Sequence, residues 1–428
     1  MSLAQPKRIL IIKLRHHGDV LLSTPVVDAL KTRFPDCEID MLVYAGTEQL
    51  IADNPQIAQI FTIDRNWKKL GVFKQLACEK NLFSKLKARD YDWAFNLSDQ
   101  WRAAIIAKLC ARCSVGLDCI KRDGFWWRFC HDFINHELDT SHHIVENQLN
   151  ILAPLIQPED VADAKVRLWV AQDARESMRQ KLREQGWNGE DYVLLHPGAR
   201  WHFKCWEDGK NAAIVQLLLN SGQNVVLTAS PDTVEQYMLQ EIIGRLNIPE
   251  GRKVYVLSGC LSLRELAAAI EGAKLFIGVD SAPMHIAAAL DKPQIALFGA
   301  SWVDKWRPYS EQAEVIYAGD YAELPNPDSI DTNDPTRLLK AIPLQDVWDK
   351  ISAKLERWPI SSVPPFSPSV AMHTAFRRPE ARASHKGANQ RVSQLSKISL
   401  YAQTSPVCKV ETKSFKKIRP SETVLPVS

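Results

Sequence analysis

Short β-rich runs alternate with helix-length amphipathic segments along most of this chain, and the alternation occurs twice. "KRILIIKL" (7–14) is a strand-like run, and "DVLLSTPVVDALKTRFP" (19–35) has helical spacing with Leu22, Val26, Val27 and Leu30 on one stripe. "EIDMLVYA" (38–45), "IAQIFTID" (57–64) and "YDWAFNL" (91–97) continue the series. After Trp187 the pattern restarts with "DYVLLHPG" (191–198), the helix "KNAAIVQLLLNSG" (210–222) closed by Gly222, and the strands "NVVLTAS" (224–230), "KVYVLSG" (253–259), "KLFIGVD" (274–280) and "PQIALFG" (293–299). "SLRELAAAIEGA" (262–273) opens on Ser262 with Glu265 three residues on, a capping box. Strand, helix, strand at this spacing produces right-handed crossovers and a parallel sheet. Two doubly wound α/β sheets are therefore expected. No sequence repeat links the halves.

The expected organisation is an N-terminal lobe over residues 1–180, a C-terminal lobe over 181–343, an amphipathic helix "LQDVWDKISAKLERW" over 344–358, and a tail over 359–428. The tail is rich in Ser, Pro, Lys and Arg with little periodicity, the composition of disorder. It holds eleven Lys/Arg against three Glu in a chain of net charge +3, so the globular part is mildly acidic. Its charge attracts any polyanion, but little in it suits base stacking, so nucleic acid is not an expected partner. No apolar run approaches the ~20 residues of a membrane span. The start, "MSLAQPKRILIIKLRHHGD", lacks the apolar core and small-residue site of a signal peptide, and a cytoplasmic protein is expected. The nine cysteines are then expected as reduced thiols. Cys110 and Cys113 have C-x-x-C spacing near Cys119 and Cys130. The second half of a zinc signature is missing, however, and "AAIIAKLCARC" reads as an apolar helix. No metal is expected.

Ligands of open parallel sheets bind beyond the carboxyl ends of the strands, which singles out four turns. In "FIGVDSAPMHIAAAL" (276–290), Asp280 ends a strand and can cap the helix that follows. Ser281 and Ala282 are small, and Pro283 suits a first helical turn. The free N–H groups there form an anion site within reach of His285. The alternative is an ordinary capped helix with a buried histidine. In "HPGARWHFKCWE" (196–207), Arg200, His202 and Lys204 alternate with Trp201, Phe203 and Trp206, a pattern suited to a diphosphate or, alternatively, to a surface loop. "TASPDTVEQ" offers Asp232 and Glu235 for a ribose hydroxyl; both can equally be solvated acids. In "KLRHHGDVLLSTP" (13–25), Gly18 allows close approach and Asp19 stands at a helix start, as a base for an alcohol or as an N-cap. Neither a P-loop nor G-x-G-x-x-G occurs at these strand ends. A base in one lobe and an anion cradle in the other suit group transfer between them.

"ILIIKLRHHGDVLLSTPVVDALKTRFPDCEIDMLV", "LLHPGARWHFKCW", "FIGVDSAPMHIAAAL" and "IALFGASWVDKWRP" together resemble the lipopolysaccharide core heptosyltransferases, glycosyltransferase family 9. The resemblance spans about residues 7–355 and is greatest to the type III branch, which adds a side-branch heptose to an inner-core heptose. It implies a GT-B fold, two facing Rossmann-like lobes about a cleft. It further implies an ADP-heptose donor, a lipopolysaccharide inner-core acceptor, inversion at the anomeric carbon, and no essential metal or other cofactor. Residue by residue, Asp19 matches the family's base and Lys204 the lysine that meets the donor phosphates. Asp280 matches the aspartate on the donor sugar, Ser281, Ala282 and Pro283 the phosphate turn, and His285 the histidine of the same helix. Where some branches have Thr-Gly after the aspartate, this chain has Ser-Ala. The ribose acid is matched by neither Asp232 nor Glu235 alone.

Such a site has a stated chemistry. Fixed N–H donors and Lys204 stabilise charge growing on the departing diphosphate, and Asp19 takes the proton of the attacking hydroxyl. Gly18, Lys13 and Arg15 are expected on the acceptor side, with Arg65, Lys68 and Lys69 as further cations. The acceptor is lipid-linked, so peripheral contact with the cytoplasmic face of the inner membrane is expected. "RDGFWWRFCHDF" (122–133) is a candidate for it, with a packed helix as the alternative. Two rivals remain: a GT-B nucleotide-sugar epimerase, and a non-catalytic nucleotide-sugar-binding protein.

Overall fold

Each half of the alternation builds a six-stranded, all-parallel sheet. In a computed structural model, residues 5–118, 122, 124–156, 161 and 163–356 are described, and all belong to one compact unit. The first half runs β1 (Arg8–Lys13), α1 (His17–Leu21), α2 (Thr24–Arg33), β2 (Glu38–Tyr44), β3 (Gln59–Ile63), α3 (Val72–Ala88), β4 (Tyr91–Asn96), α4 (Trp101–Cys110), β5 (Ala111–Asp118), α5 (Phe125–Phe129), β6 (Phe133–His136) and α6 (Ile144–Asn150). Its strand order is β3-β2-β1-β4-β5-β6. The second half runs α7 (Gln172–Arg183), β7 (Tyr192–His196), α8 (Asp208–Asn220), β8 (Asn224–Ala229), α9 (Thr233–Ile243), β9 (Val254–Ser258), α10 (Leu263–Glu271), β10 (Leu275–Val279), α11 (Ala282–Ala289), β11 (Gln294–Phe298), α12 (Val303–Trp306), β12 (Ala313–Tyr317) and α13 (Leu344–Glu356). Its order, β12-β11-β10-β7-β8-β9, repeats the first. Strand order reverses between β1 and β4 and again between β7 and β10, and such switch points are where open sheets hold ligands.

Central strands such as β1, β10 and β11 are buried on both faces, which is why they are continuous apolar runs rather than alternating ones. Local signals act as expected at several ends. Ser262 and Glu265 form the reciprocal capping box of α10. Gly222, at φ 89°, takes the left-handed conformation that stops α8.

Other expectations need correction. The helix expected over 19–35 is two helices, because Pro25 starts α2 and cannot continue α1. The apolar helix expected through Cys113 stops at Cys110, and the chain enters β5 at once. Register with β4, Trp93 beside Cys113 and Phe95 beside Val115, overrides the helical appearance of that stretch. The C-x-x-C pair is thus divided between a helix and a strand, and burial raises both thiols to about 11. Cys119 and the tail over 359–428 lie outside the described residues. The boundary expected at 180/181 falls inside α7. The buried face of α7, Ala174, Met178 and Leu182, packs with Leu266 and Ile270 of α10, which supports a boundary ahead of α7.

One apolar cluster crosses between the halves. Leu21, Leu22, Leu50, Ile144 and Val145 of the first pack with Met284, Ile286 and Leu266 of the second. Polar ties flank it. Arg264 of α10 grips Asp53 at 2.8 and 3.0 Å, and the Leu263 N–H donates to Gln49 at 3.1 Å.

Candidate active site

α1 leaves the carboxyl end of β1, and α11 leaves that of β10. The two helix starts face each other. A Cβ added to Gly18 would lie 3.1 Å from His285 Cδ2 and 3.9 Å from the Ala282 Cα. The absence of a side chain at Gly18 thus sets how closely the lobes approach.

Asp19 is half-buried in the first turn of α1. It is not the cap. His16 occupies the N-cap position, and the Asp19 carboxylate makes no hydrogen bond among the described residues. Lys13 lies behind it. It is buried, donates to the Leu97 carbonyl at 3.1 Å, and has its pKa lowered by burial, with the Asp19 charge opposing. Lys13 therefore faces inward, whereas Arg15 is exposed and pairs with Asp99 at 2.8 Å. Arg65 donates to the Arg15 carbonyl at 3.3 Å and stacks over Tyr44.

Across the gap, Asp280 does not cap α11, as the sequence suggested. Ser281 is the N-cap residue, and its hydroxyl donates back to the Val279 carbonyl, so the helix start has no side-chain cap. Pro283 stands in the first turn. The Asp280 carboxylate instead accepts from Lys204 Nζ at 2.5 Å and Ser301 Oγ at 2.7 Å. Lys204 also lies over the Trp201 ring, 5.1 Å from its centroid. The Lys204 loop is braced from afar. Arg337 holds His202 at 2.7 Å, the Trp206 carbonyl at 2.8 Å and Asp208. Arg200 reaches across to the His16 ring at 3.2 Å.

The two candidate acids of the third turn differ sharply. Asp232 is exposed and caps α9, accepting from the Val234 N–H at 2.8 Å. Glu235 is buried, accepts from the Ser230 N–H at 2.9 Å and lies beneath the β7 turn. A Cβ on Gly198 would be 2.5 Å from its Oε2. His196 is 3.7 Å from Glu235 and bonds Thr228 at 2.9 Å.

Ser301, Arg337 and His196 were missed as site supports. All three act through partners distant in sequence, and only the motif "IALFGAS" hinted at Ser301 by ending another strand.

His285 is buried, and its Nδ1 has no hydrogen-bond partner among the described residues. Burial brings its pKa down to about 4; Asp280 and Asp19 oppose the shift, while His143 and Lys204 reinforce it. It is a neutral ring at neutral pH, not a cationic phosphate ligand. His143 is also held near 4, chiefly by burial. Its Nδ1 accepts from the Val145 N–H at 3.1 Å, so Nε2 carries the proton and donates to the Arg307 carbonyl of the other half at 2.8 Å.

Both histidines bind protons more tightly when unfolded, so folding stability is complete above about pH 6.5 and declines toward pH 4. The loss is up to about 3 kcal/mol for each. Denaturant titrations at stepped pH check this, and a stability flat from pH 7 to 4.5 would refute it. His143→Asn keeps a capping acceptor and should give a shallower slope.

The profile of glycosyltransferase family 9 (heptosyltransferase) matches residues 80–336, more than half of the chain. The chain belongs to glycosyltransferase family 9. It is 38% identical over 335 residues to lipopolysaccharide heptosyltransferase 3 of Escherichia coli, covering 78% of this chain and 95% of that one. To the protein of the same name in strain K12 it is 36% identical over 337 residues, covering 78% and 94%. Family 9 membership makes it a glycosyltransferase with the GT-B fold. The family 9 glycosyltransferase of Veillonella parvula superimposes with a TM-score of 0.70 at 21% identity, covering 83% of this chain and 99% of that one. E. coli ADP-heptose lipopolysaccharide heptosyltransferase II does so at 0.65 and 22% identity, covering 82% and 99%.

Proposed function

We propose that this family 9 enzyme transfers L-glycero-D-manno-heptose from ADP-heptose to a heptose of the lipopolysaccharide inner core, with inversion. The observation that carries the reading is the apposition of α1 and α11. An unpartnered carboxylate, Asp19, stands on one side, and an uncapped helix start with the Lys204–Asp280 pair stands on the other.

In this reading the donor diphosphate lies at the start of α11, on the backbone of Ser281 and Ala282, with Pro283 holding the turn. Lys204 answers the charge that builds on the diphosphate as the glycosidic bond breaks. Asp280, fixed by Lys204 and Ser301, orients the heptose. His285 stays neutral and spaces the two lobes. Asp19 accepts the proton of the acceptor hydroxyl as its oxygen attacks the anomeric carbon. Gly18 leaves room for the acceptor, Arg15 meets its anionic groups, and buried Lys13 acts on that side through its charge near Asp19. One base and no enzyme nucleophile give a single displacement.

The ribose falls to Glu235, which is buried beside the β7 turn, whereas Asp232 is exposed at the cap of α9. Glu235→Gln should weaken ADP binding by about tenfold, the size of one charge-assisted hydrogen bond. Asp232→Asn, which keeps a capping group, should leave it within twofold. Calorimetric titration with ADP decides between them, and equal losses would refute the assignment.

The acceptor chemistry favours peripheral contact with a membrane. No helix among the described residues is long and apolar enough to cross one. Among the described residues of 122–133 lies a five-residue helix, α5, with Trp127 buried and Phe125, Trp126 and Phe129 exposed, and Phe133 opens β6. Mass spectrometry of a truncated core oligosaccharide incubated with the protein and ADP-heptose tests the reaction. A gain of one heptose is expected. An unaltered acceptor, or epimerised donor without acceptor, would overturn it.

A further inference from the structure

α3 is a long helix that buries little. Among its seventeen residues only Leu82 and Leu86 are buried, both in the second half. The first half turns Val72 (70% exposed), Phe73 (88%) and Leu76 (59%) to solvent. Beside it, α4 exposes Ile105 and Leu109. Leu76, Phe83, Ile105 and Leu109 line a groove of about 590 Å³ between the two helices. Five large apolar side chains, Val72, Phe73, Leu76, Ile105 and Leu109, are thus left exposed on two adjacent helices, a clustering that suits an interaction surface. Trp101, at the start of α4, packs edge-to-face on Trp127 at 5.5 Å and so joins this surface to the exposed aromatics of α5.

The fringe is basic. Between Arg65 and Ala88 the chain has seven Lys/Arg and a single acid, Glu79, which Arg102 neutralises. Lys68, Lys69, Lys74 and Lys80 are exposed and form no ion pair among the described residues. In an otherwise mildly acidic body this local charge selects an anionic partner. It disfavours a second copy of the same face, which would set lysine against lysine. It disfavours the chain's own tail for the same reason, since that segment is also strongly basic.

We infer that the α3–α4 groove and its lysine fringe dock on a bilayer surface carrying anionic headgroups. Apolar side chains enter the interface while lysines meet the headgroups, each basic residue near the surface adding attraction that salt screens. The geometry fits the site. α3 follows β3 and α4 follows β4, so their starts lie at the sheet edge from which α1 carries Asp19. A docked enzyme thus holds its acceptor side toward the membrane. The inference deepens the peripheral contact proposed above but does not depend on the identity of the sugar transferred.

The test is flotation of the full chain with phosphatidylethanolamine–phosphatidylglycerol vesicles and with pure phosphatidylcholine vesicles, at low and raised salt. Binding to the anionic vesicles, weakened by salt, is expected. Phe73→Asp with Leu76→Asp should weaken partitioning at least tenfold, and so should Lys74→Glu with Lys80→Glu. Both pairs are exposed, so unfolding temperature and turnover of a water-soluble core oligosaccharide should be retained. Wild-type protein that ignores anionic vesicles would overturn the inference. So would variants that bind as the wild type does, which would assign binding to the tail. Self-association in solution abolished by the Asp variants would assign the face to a second copy and also overturn it. Turnover of the soluble oligosaccharide reports on the transferase reading separately.

Discussion

Asp19→Asn should lower kcat by about a thousandfold while leaving ADP affinity unchanged, the range expected when a positioned base is lost. The substitution keeps the size and shape of the side chain and removes only its ability to accept a proton. The Asp19 carboxylate has no hydrogen-bonding partner among the described residues, so no structural bond is broken, and α1 keeps its His16 N-cap. The donor pieces, Lys204, Asp280 and the start of α11, lie on the other lobe. Turnover and ADP binding should therefore separate cleanly. Steady-state kinetics with calorimetry measures both, and a variant that retains a tenth of wild-type turnover would remove Asp19 from the mechanism.

Lys204→Met should also be severe, about a hundred- to a thousandfold in kcat, but with a different signature. Here the donor side is damaged twice. The cation that answers the leaving diphosphate is gone, and Asp280, buried with Ser301 as its remaining donor, loses its counter-charge. ADP affinity should fall as well, by about tenfold. Lys204→Arg keeps the charge but not the compact ammonium that fits between Trp201 and Asp280, and should recover binding more than turnover. Loss of kcat without any loss of ADP affinity would contradict the placement of Lys204 at the diphosphate.

The parts of this architecture that were legible before the structure share a physical property: they are set by near neighbours in sequence. The apolar runs of β1, β7 and β10, the capping box at Ser262 and Glu265, and the left-handed stop at Gly222 all follow from local chemistry. So does the small-residue turn after Asp280. What was hidden depends on partners far along the chain. Asp280 resembled a helix cap because its neighbours suit one, but Lys204 and Ser301 claim its carboxylate. The first three residues of β5, Ala111 to Cys113, resembled the end of a helix because they continue the apolar run of α4 with no break, and only pairing with β4 draws them into the sheet. Glu235 and Asp232 were indistinguishable as acids near a helix start, and only burial under Gly198 separates them. The brace from Arg337 to the Lys204 loop spans a distance no local pattern records.

In the proposed mechanism two facing lobes carry out one direct displacement, with a base on one and a leaving-group cradle on the other. The anomeric configuration of the heptose in the isolated product, read by proton and carbon NMR, tests it most directly. A configuration opposite to that of the donor is expected. Retention would require an enzyme-bound intermediate or a same-face attack that this arrangement of Asp19, Lys204 and Asp280 does not provide, and would contradict it.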